Sequence, residues 1–275
     1  MTTTLDKPVL FINTNTDKNI WHVYMMELLE IGRLLNNKRT IEHMLLTNFD
    51  PSLPSDIWRL YILKYLVKNI YISENENSKH SDNVKGLPRV ATLYSPETLK
   101  IHFQWWDCWN PTKYTANKDI IHFVKYLQNR LNVDCTNTHK IKFINRRKTR
   151  QVFDKHTNKP LDELLHMLGI ECCYFENKTP REQIEFVQDA GIIISPHGSA
   201  LTNIIFTADK CEIVEITNRK FWFCEPICEQ HRLQKIPIHQ SCGTNSPFPN
   251  YDFINMCKLL NKQHHELRVI IKSIF

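Results

Sequence analysis

The feature that most constrains the fold of this chain is a short apolar run that ends abruptly in a tight turn. Residues 189–206 read Asp-Ala-Gly-Ile-Ile-Ile-Ser-Pro-His-Gly-Ser-Ala-Leu-Thr-Asn-Ile-Ile-Phe. This pattern predicts a buried strand, a turn at Ser195–Gly198 and then a helix start. In α/β proteins such a turn lies at the carboxyl edge of the sheet, where backbone N–H groups can hold an anion. An ordinary strand-to-helix connection with a turn glycine is the alternative interpretation.

The rest of the second half alternates short apolar runs with helical patterns. Strands are predicted at 140–145, 170–175, 191–195 and 211–216, with helices at 161–168 and 180–188. Such alternation is typical of a parallel sheet with Rossmann-like winding.

The first half has a similar but less regular pattern. It predicts strands at 9–12, 41–46, 67–72 and 90–94, and helices at 20–35, from 55 through 63, and at 118–131. We therefore predict two α/β domains, 1–134 and 135–250, followed by a terminal helix within 251–275. The polar run at 73–83 predicts a surface loop, and the aromatic segment 102–109 either packs at a domain seam or forms a platform for a sugar.

Length, charge and cysteine content narrow the class of protein. With 275 residues, 23% of them charged, and nine cysteines in no zinc or redox spacing, the chain is typical of a protein with reduced thiols in the cytoplasm. No signal peptide and no apolar run of about 18–20 residues is recognisable, so we expect no membrane span. The net charge of +6 is dispersed, which favours a small anionic ligand over a nucleic acid.

A basic cluster provides a second candidate for anion binding. Arg146, Arg147 and Arg150 directly follow the strand predicted at 140–145, so they are expected at the same sheet edge as the His197–Gly198 turn. Guanidinium groups bind phosphate in a bidentate manner, and the two features together predict a pyrophosphate site. Glu215, at the end of the next strand, is then a candidate acceptor for ribose hydroxyls. Taken alone, the arginines could instead form a solvated surface turn.

Several motifs occur in the order and spacing of a known family. The segments that carry the resemblance are Ile144-Asn-Arg-Arg-Lys-Thr-Arg-Gln-Val152, Glu182-Gln-Ile184, Pro196-His-Gly-Ser-Ala-Leu-Thr-Asn203 and Val214-Glu-Ile216, with Asn19-Ile-Trp-His22 at a helix start. The chain thereby resembles glycosyltransferase family 61, which includes plant β-1,2-xylosyltransferases, xylan arabinosyl- and xylosyltransferases, and animal enzymes that add N-acetylglucosamine to protein O-glycans. The resemblance is dense over about residues 140–240. Two positions depart from the pattern, Ser199 in place of a usual alanine and Asp154 in place of a common asparagine.

The resemblance implies a GT-B-type α/β architecture, in which two Rossmann-like domains face a cleft and the terminal helix could cross back. It implies an inverting transferase that needs no metal or other cofactor, and this sequence contains no Asp-x-Asp metal motif. UDP-xylose is the leading donor and UDP-N-acetylglucosamine the second, with a glycan hydroxyl as acceptor. The implied donor-binding residues are Arg146, Arg147, Arg150, Ser195, His197, Gly198, Ser199, Ala200, Leu201, Thr202, Asn203 and Glu215.

An inverting transfer needs one base to deprotonate the acceptor hydroxyl. His22 is the candidate, because in this architecture the N-terminal domain faces the donor sugar. Asp17 and Glu27 are the reserve candidates, and the alternative for His22 is an ordinary helix histidine beside Trp21. His197 is expected to contact the diphosphate or the sugar.

Three other functions remain open at this stage. A non-catalytic module that binds a nucleotide sugar or a glycan would retain the cleft without the chemistry. A hydrolase using Ser195 or Ser199 with His197 is disfavoured, because no Gly-x-Ser-x-Gly elbow is present. A nucleic-acid binder would show steep salt dependence. The usage of Asn, Ile and Lys indicates a microbial or viral protein.

Overall fold

The computed structural model describes residues 2–13, 19–36, 41–73, 87–90, 92–94, 98–100, 118–136, 138, 140–146, 153–154, 159–217, 227–228, 234–239 and 250–251. The chain divides into two compact units, residues 1–133 and 134–275. Each unit contains helices and a parallel sheet, so the protein is of the mixed α/β class and compatible with Rossmann-like folding. The acceptor and donor roles given to the two predicted domains stay predictions.

The first unit begins with two strands and an irregular helix. The strands of this unit are β1 (Thr2–Thr4), β2 (Val9–Asn13), β3 (His43–Thr47), β4 (Asn69–Ser73), β5 (Arg89–Val90), β6 (Thr92–Tyr94) and β7 (Thr98–Lys100). Its helices are α1 (Ile20–His22), a π-helical segment (Val23–Leu28) that continues into α2 (Leu29–Asn36), α3 (Pro54–Leu66) and α4 (Lys118–Arg130).

The main sheet of the first unit is parallel and reverses its winding at β2. Its strand order is β5-β4-β3-β2-β7, and a separate pair is formed by β1 and β6. Successive strands β2 to β5 are added on one side, whereas β7 is added on the other. The topological switch point of this sheet therefore lies between β2 and β7.

The second unit repeats the same alternation. Its strands are β8 (Lys140–Asn145), β9 (Phe153–Asp154), β10 (Glu171–Tyr174), β11 (Ala190–Pro196), β12 (Glu212–Thr217), β13 (Gln234–His239) and β14 (Asn250–Tyr251). Its helices are α5 (Leu161–Met167), α6 (Pro180–Val187) and two 3-10 segments, Phe175–Asn177 and Ser199–Phe206.

The main sheet of the second unit has the order β10-β8-β11-β12-β13, with all pairs parallel, and β9 pairs with β14. Counted along the chain, this is a 2-1-3-4-5 order, so the winding reverses between β8 and β11. In open α/β sheets that reversal opens a crevice at the carboxyl ends of the two strands, and ligands bind there.

Burial explains why these segments form the core. Every residue of β11 is buried, as expected for a central parallel strand covered on both faces. Phe143, Ile194 and Val214 from three adjacent strands pack with Leu161 and Leu165 of α5. Helix α6 begins with a capping box in which Thr179 and Glu182 bond each other's backbone N–H groups. Gly169 follows the C-cap of α5, and its φ of 74° is the left-handed conformation typical of a helix stop.

Several expectations need correction or fall outside the described residues. The helix expected after the turn is a 3-10 segment, and a regular α-helix does not form there. Strand β13 was not predicted, because Pro237 interrupts its pattern; among the described strands β13 ends the sheet order, a position where proline is tolerated. Tyr251, the predicted start of the terminal helix, lies in β14, and residues 252–275 lie outside the described residues, as do 74–86 and 101–117.

Candidate functional site

The candidate site lies where β8 and β11 end side by side. Phe143 pairs in register with Ile194, so the residues that follow the two strands, Arg146 and His197, come together at the carboxyl edge. This edge is the switch point of the second sheet, the place where such folds bind their ligands.

The turn itself is held by backbone contacts. The His197 N–H donates to the Ile216 carbonyl of β12 at 2.8 Å, and the Leu201 N–H donates to the Gly198 carbonyl at 3.1 Å. Ser195 and Gly198 are buried, whereas His197, Ser199 and Ala200 are half-buried. The accessible face of the turn therefore consists of the histidine and the first two residues of the 3-10 segment.

His197 is oriented by a buried carboxylate. Its Nδ1 lies 2.8 Å from Oε1 of Glu215, and the exposed fraction of the side chain is 26% for His197 and 0% for Glu215. Glu215 pairs in register with Ser195, so its side chain lies on the same sheet face as His197, two residues beyond. A carboxylate only accepts hydrogen bonds, so Nδ1 of His197 is the donor in this contact and the ring is fixed in orientation.

Arg146 lies against the glycine of the turn. Its Nη1 donates to the His197 carbonyl at 3.4 Å, and its backbone N–H donates to Oδ1 of Asn145 at 2.8 Å. A Cβ atom on Gly198 would overlap Nη1 of Arg146 and lie 3.0 Å from its Cζ. The glycine thus leaves the space that the guanidinium occupies, which is the physical reason for a glycine at this position.

A row of hydrogen-bonded side chains from β8, β10 and α5 lies at the same carboxyl edge of the sheet. Nδ2 of Asn145 donates to the Tyr174 hydroxyl at 3.1 Å, and that hydroxyl donates to Oδ2 of Asp162 in a very short hydrogen bond. Asn145 is only 1% exposed. Asn145, Tyr174 and Asp162 were not predicted to act as a group. Their positions at two strand ends and a helix start were the only signal, and that signal does not specify a contact.

The predicted donor-binding residues separate into two groups by burial. Arg146, His197, Ser199 and Ala200 are partly exposed and can reach a ligand. The side chains enclosed in the protein are those of Ser195, Leu201, Thr202, Asn203 and Glu215, each 0% exposed. Arg147 and Arg150 lie outside the described residues.

In the buried group, Asn203 and Glu215 form hydrogen bonds within the protein. Asn203 donates to Gln183 at 3.0 Å and to the Ala200 carbonyl at 3.1 Å, which ties the 3-10 segment to α6 and to itself. Glu215, expected to accept from ribose hydroxyls, bonds Nδ1 of His197 in this structure. These buried side chains hold the turn, and their contacts with a donor stay predictions.

His22 lies at the start of the helix that follows β2. The Asn19 side chain accepts from the Trp21 N–H at 2.9 Å and so caps the helix. The ring of His22 meets the Trp21 indole edge-on, with centroids 5.0 Å apart. His22 is half-buried and follows the strand at which the first sheet reverses its winding.

Of the two reserve base candidates, the structure describes only Glu27. Asp17 lies outside the described residues. Glu27 is 2% exposed and accepts two hydrogen bonds from Arg59, at 2.7 and 2.8 Å, while Arg59 also bonds Asp56. Glu27 therefore belongs to a buried ion pair that anchors the π-helical segment to α3, and its role as a reserve base stays a prediction.

Two findings on the described residues concern metal binding and membrane spanning. Among the residues that the structure describes, no three or more His, Cys, Asp and Glu side chains cluster in a way that could hold a metal ion. Within the same residues, no helix combines the length and the apolar character needed to cross a bilayer.

Comparison with known proteins adds one positive finding. The model of the family described as Glycosyltransferase 61 matches residues 23–214, which include parts of both units and the whole turn from Ser195 to Asn203. A search of curated proteins finds no significant match. Because the family match extends over well more than half of the 275 residues, this chain belongs to glycosyltransferase family 61.

Proposed function

We propose that the chain transfers a sugar from a UDP-sugar to a glycan hydroxyl, with inversion at the anomeric carbon and without a metal ion. The proposed architecture is GT-B-type, with the second unit binding the nucleotide sugar and the first unit facing it across a cleft. The observation that carries the proposal is the position of Arg146 against the His197–Gly198 turn at the switch point of the second sheet.

The proposed site stabilises the leaving diphosphate by charge and by hydrogen bonds. As the bond between the anomeric carbon and the diphosphate oxygen breaks, its electron pair stays on that oxygen, and negative charge grows there. The Arg146 guanidinium and Nε2 of His197 would donate to this charge, and Arg147 and Arg150 follow in the sequence. Nε2 donates only when the imidazole carries a proton on both nitrogens, and Nδ1 then donates to Glu215.

The base must lie on the other side of the anomeric carbon. An inverting transfer is an in-line displacement, so the acceptor oxygen attacks opposite to the leaving group. Arg146 contacts the backbone of His197, so the proposal puts His197 on the leaving-group side. We propose that His22, in the first unit, takes the proton of the acceptor hydroxyl while the new glycosidic bond forms.

The donor sugar is proposed from the family resemblance. UDP-xylose is the first candidate because xylosyl transfer recurs in the family, and UDP-N-acetylglucosamine is the second. The proposed acceptor is a glycan on a protein or lipid carrier, and the proposed compartment is the cytoplasm.

A donor screen that measures UDP release tests this proposal. The purified chain is incubated with each UDP-sugar, with and without a glycan acceptor, in the presence and absence of EDTA. We expect release with one UDP-sugar and no loss of rate with EDTA. Strict metal dependence would contradict the mechanism. Failure of UDP, UDP-xylose and UDP-N-acetylglucosamine at millimolar concentration to raise the Tm would contradict the donor class.

The same preparation distinguishes an enzyme from a binding module. Binding of a UDP-sugar with neither transfer nor hydrolysis would identify a non-catalytic module, the second candidate function. Sugar transfer by the wild type that is lost in His22→Ala, with UDP binding intact, would identify the enzyme.

A further inference from the structure

We infer that Asp162, Tyr174 and Asn145 are positioning residues that fix Arg146 for diphosphate binding. This inference rests on the proposed function, and two of its residues, Asp162 and Tyr174, lie outside the motif segments. It starts from the hydrogen-bonded chain beneath the turn, which runs from α5 through β10 to the end of β8.

The direction of each hydrogen bond in this chain is determined by chemistry. The Asp162 carboxylate only accepts, so the single proton of the Tyr174 hydroxyl points to it. The tyrosine oxygen is then an acceptor, which requires the amide nitrogen of Asn145 on that side. The amide oxygen of Asn145 consequently faces the backbone N–H of Arg146.

These hydrogen bonds fix the orientation of the side-chain amide of Asn145, the residue before Arg146. An isolated asparagine amide can rotate and exchange its oxygen and nitrogen, and one orientation would place two donors opposite each other at Arg146. Asn145 is 1% exposed, so water cannot compensate for the wrong orientation. Tyr174 and Asp162 together select the orientation that holds the Arg146 backbone.

The backbone of Arg146 in turn limits where its guanidinium lies. The side chain already passes over Gly198 and donates to the His197 carbonyl at 3.4 Å, so a shift of its Cα would move the guanidinium off the turn. Asp162 lies in the first turn of α5 and Tyr174 ends β10, so a helix and a neighbouring strand both fix the position of the arginine.

Tyr174→Phe tests the inference, because it removes only the hydroxyl. UDP and inorganic pyrophosphate affinities of the full chain are measured by calorimetry, together with the Tm. We expect UDP affinity to fall about five- to tenfold, the size typical of one lost hydrogen bond in a buried chain. Pyrophosphate affinity should fall in parallel, because Arg146 contacts the diphosphate. Tyr126→Phe, an exposed tyrosine on α4, is the matched control and should leave both affinities unchanged.

A double-mutant cycle separates positioning from general destabilisation. In an Arg146→Ala background, Tyr174→Phe should have almost no further effect on UDP affinity, because the group through which it acts is absent. Equal effects of Tyr174→Phe in both backgrounds, or wild-type UDP affinity in Tyr174→Phe, would overturn the inference while leaving the proposed function intact. A wild-type protein that binds neither UDP nor pyrophosphate would overturn both.

A second variant provides the test if Tyr174→Phe folds poorly. Asp162→Asn keeps the size and an oxygen acceptor for the tyrosine hydroxyl but removes the charge that sets its direction. We expect a two- to threefold loss of UDP affinity that also disappears in the Arg146→Ala background. Unchanged affinity in Asp162→Asn would contradict the inference.

Discussion

The two histidines of the proposed mechanism occupy comparable places in their own units but are held in different ways. Each follows a strand at which its sheet reverses its winding, β2 for His22 and β11 for His197. Nδ1 of His197 lies 2.8 Å from the buried carboxylate of Glu215. His22 instead meets the indole ring of Trp21 edge-on, at the capped start of a helix.

This difference matches two different chemical tasks. His197 contacts a buried carboxylate, and in the proposal its ring faces the anionic diphosphate. The ring of His22 is oriented by an indole edge contact, and in the proposal it takes up the proton of the acceptor hydroxyl. The proposal therefore gives binding to His197 and proton transfer to His22, and separate substitutions test each role.

Replacement of His22 should have the largest effect on activity. We expect His22→Ala to lower kcat by about 10²–10⁴-fold, the contribution typical of a general base. UDP affinity should stay unchanged, because the donor site belongs to the second unit in the proposal. Steady-state transfer assays and calorimetry provide the two values. His122→Ala, an exposed histidine on α4 of the same unit, is the control. Wild-type kcat in His22→Ala would remove the base assignment.

Replacement of Arg59 should have the largest effect on stability. Arg59 is 0% exposed and binds Glu27 and Asp56, so Arg59→Met leaves two buried carboxylates without their cation. We expect a loss of about 3–5 kcal/mol in the free energy of unfolding, measured with urea. Arg33→Met breaks the exposed Arg33–Glu30 pair and should cost less than about 1 kcal/mol. Similar losses in both variants would contradict the role of Glu27 as an anchor.

Removing the charge of Glu215 should weaken the second histidine without destroying the site. Glu215→Gln keeps an oxygen near Nδ1 but removes the negative charge that holds the ring, so we expect kcat/KM to fall about 10–100-fold. The split between kcat and donor KM shows whether the lost contact acts on the leaving group or on ground-state binding. Glu185→Gln, on the exposed face of α6, is the control. An unchanged kcat/KM would mean that His197 does not need the carboxylate.

Gly198 and Gly169 are glycines for different physical reasons, so their replacement by alanine should have different effects, both smaller than those above. Gly198→Ala places a methyl group where the Arg146 guanidinium lies, so UDP affinity should fall about tenfold. Gly169→Ala meets no atom within 4 Å but has a φ of 74°, so it should cost about 1–2 kcal/mol of stability and leave UDP affinity unchanged. Loss of UDP affinity in both variants would show that the effect is not specific to the arginine.

The smallest expected effect is a pH dependence at the amino ends of β8 and β11. Burial raises the pKa of Asp189, but hydrogen bonds and charges from Lys140 and Lys142 lower it by more, so the pKa lies below its ordinary value. The stabilisation is therefore present above pH about 4 and is lost as pH falls through the lowered pKa. Asp189→Asn should flatten the stability curve over this acidic range. A curve identical to that of the wild type would contradict the assignment.

The regular elements of the fold could largely be predicted from the sequence. The predicted strand at 140–145 is observed with the same bounds, and the strand after Asp189 and the helices at 118–131 and 180–188 differ by one or two residues at their ends. These segments have strong apolar periodicity and clear stop signals. The prediction failed where the local signal is weak, as in β13 with its internal Pro237, and in the 3-10 segment after the turn.

The sequence predicted where the candidate site lies, but not which side chains contact each other within it. The sequence identified Arg146 and the His197–Gly198 turn, because parallel strands place their ends at one edge. It did not identify the partner of His197, since Glu215 lies 18 residues further along and its contact depends on strand register. Nor could burial of Asn203 or the bidentate pairing of Glu27 be inferred from residue type.

By itself, then, the sequence determined the alternation of strands and helices, the turn at Ser195–Gly198 and the family, because these depend on local periodicity, turn residues and motif spacing. Only the tertiary structure decided that the turn lies at the switch point between β8 and β11, that Glu215 orients His197, and that Tyr174 and Asp162 support Asn145 beneath Arg146. These contacts join residues that are far apart along the chain. Strand order, register and packing create them, and none of the three is encoded in a local pattern.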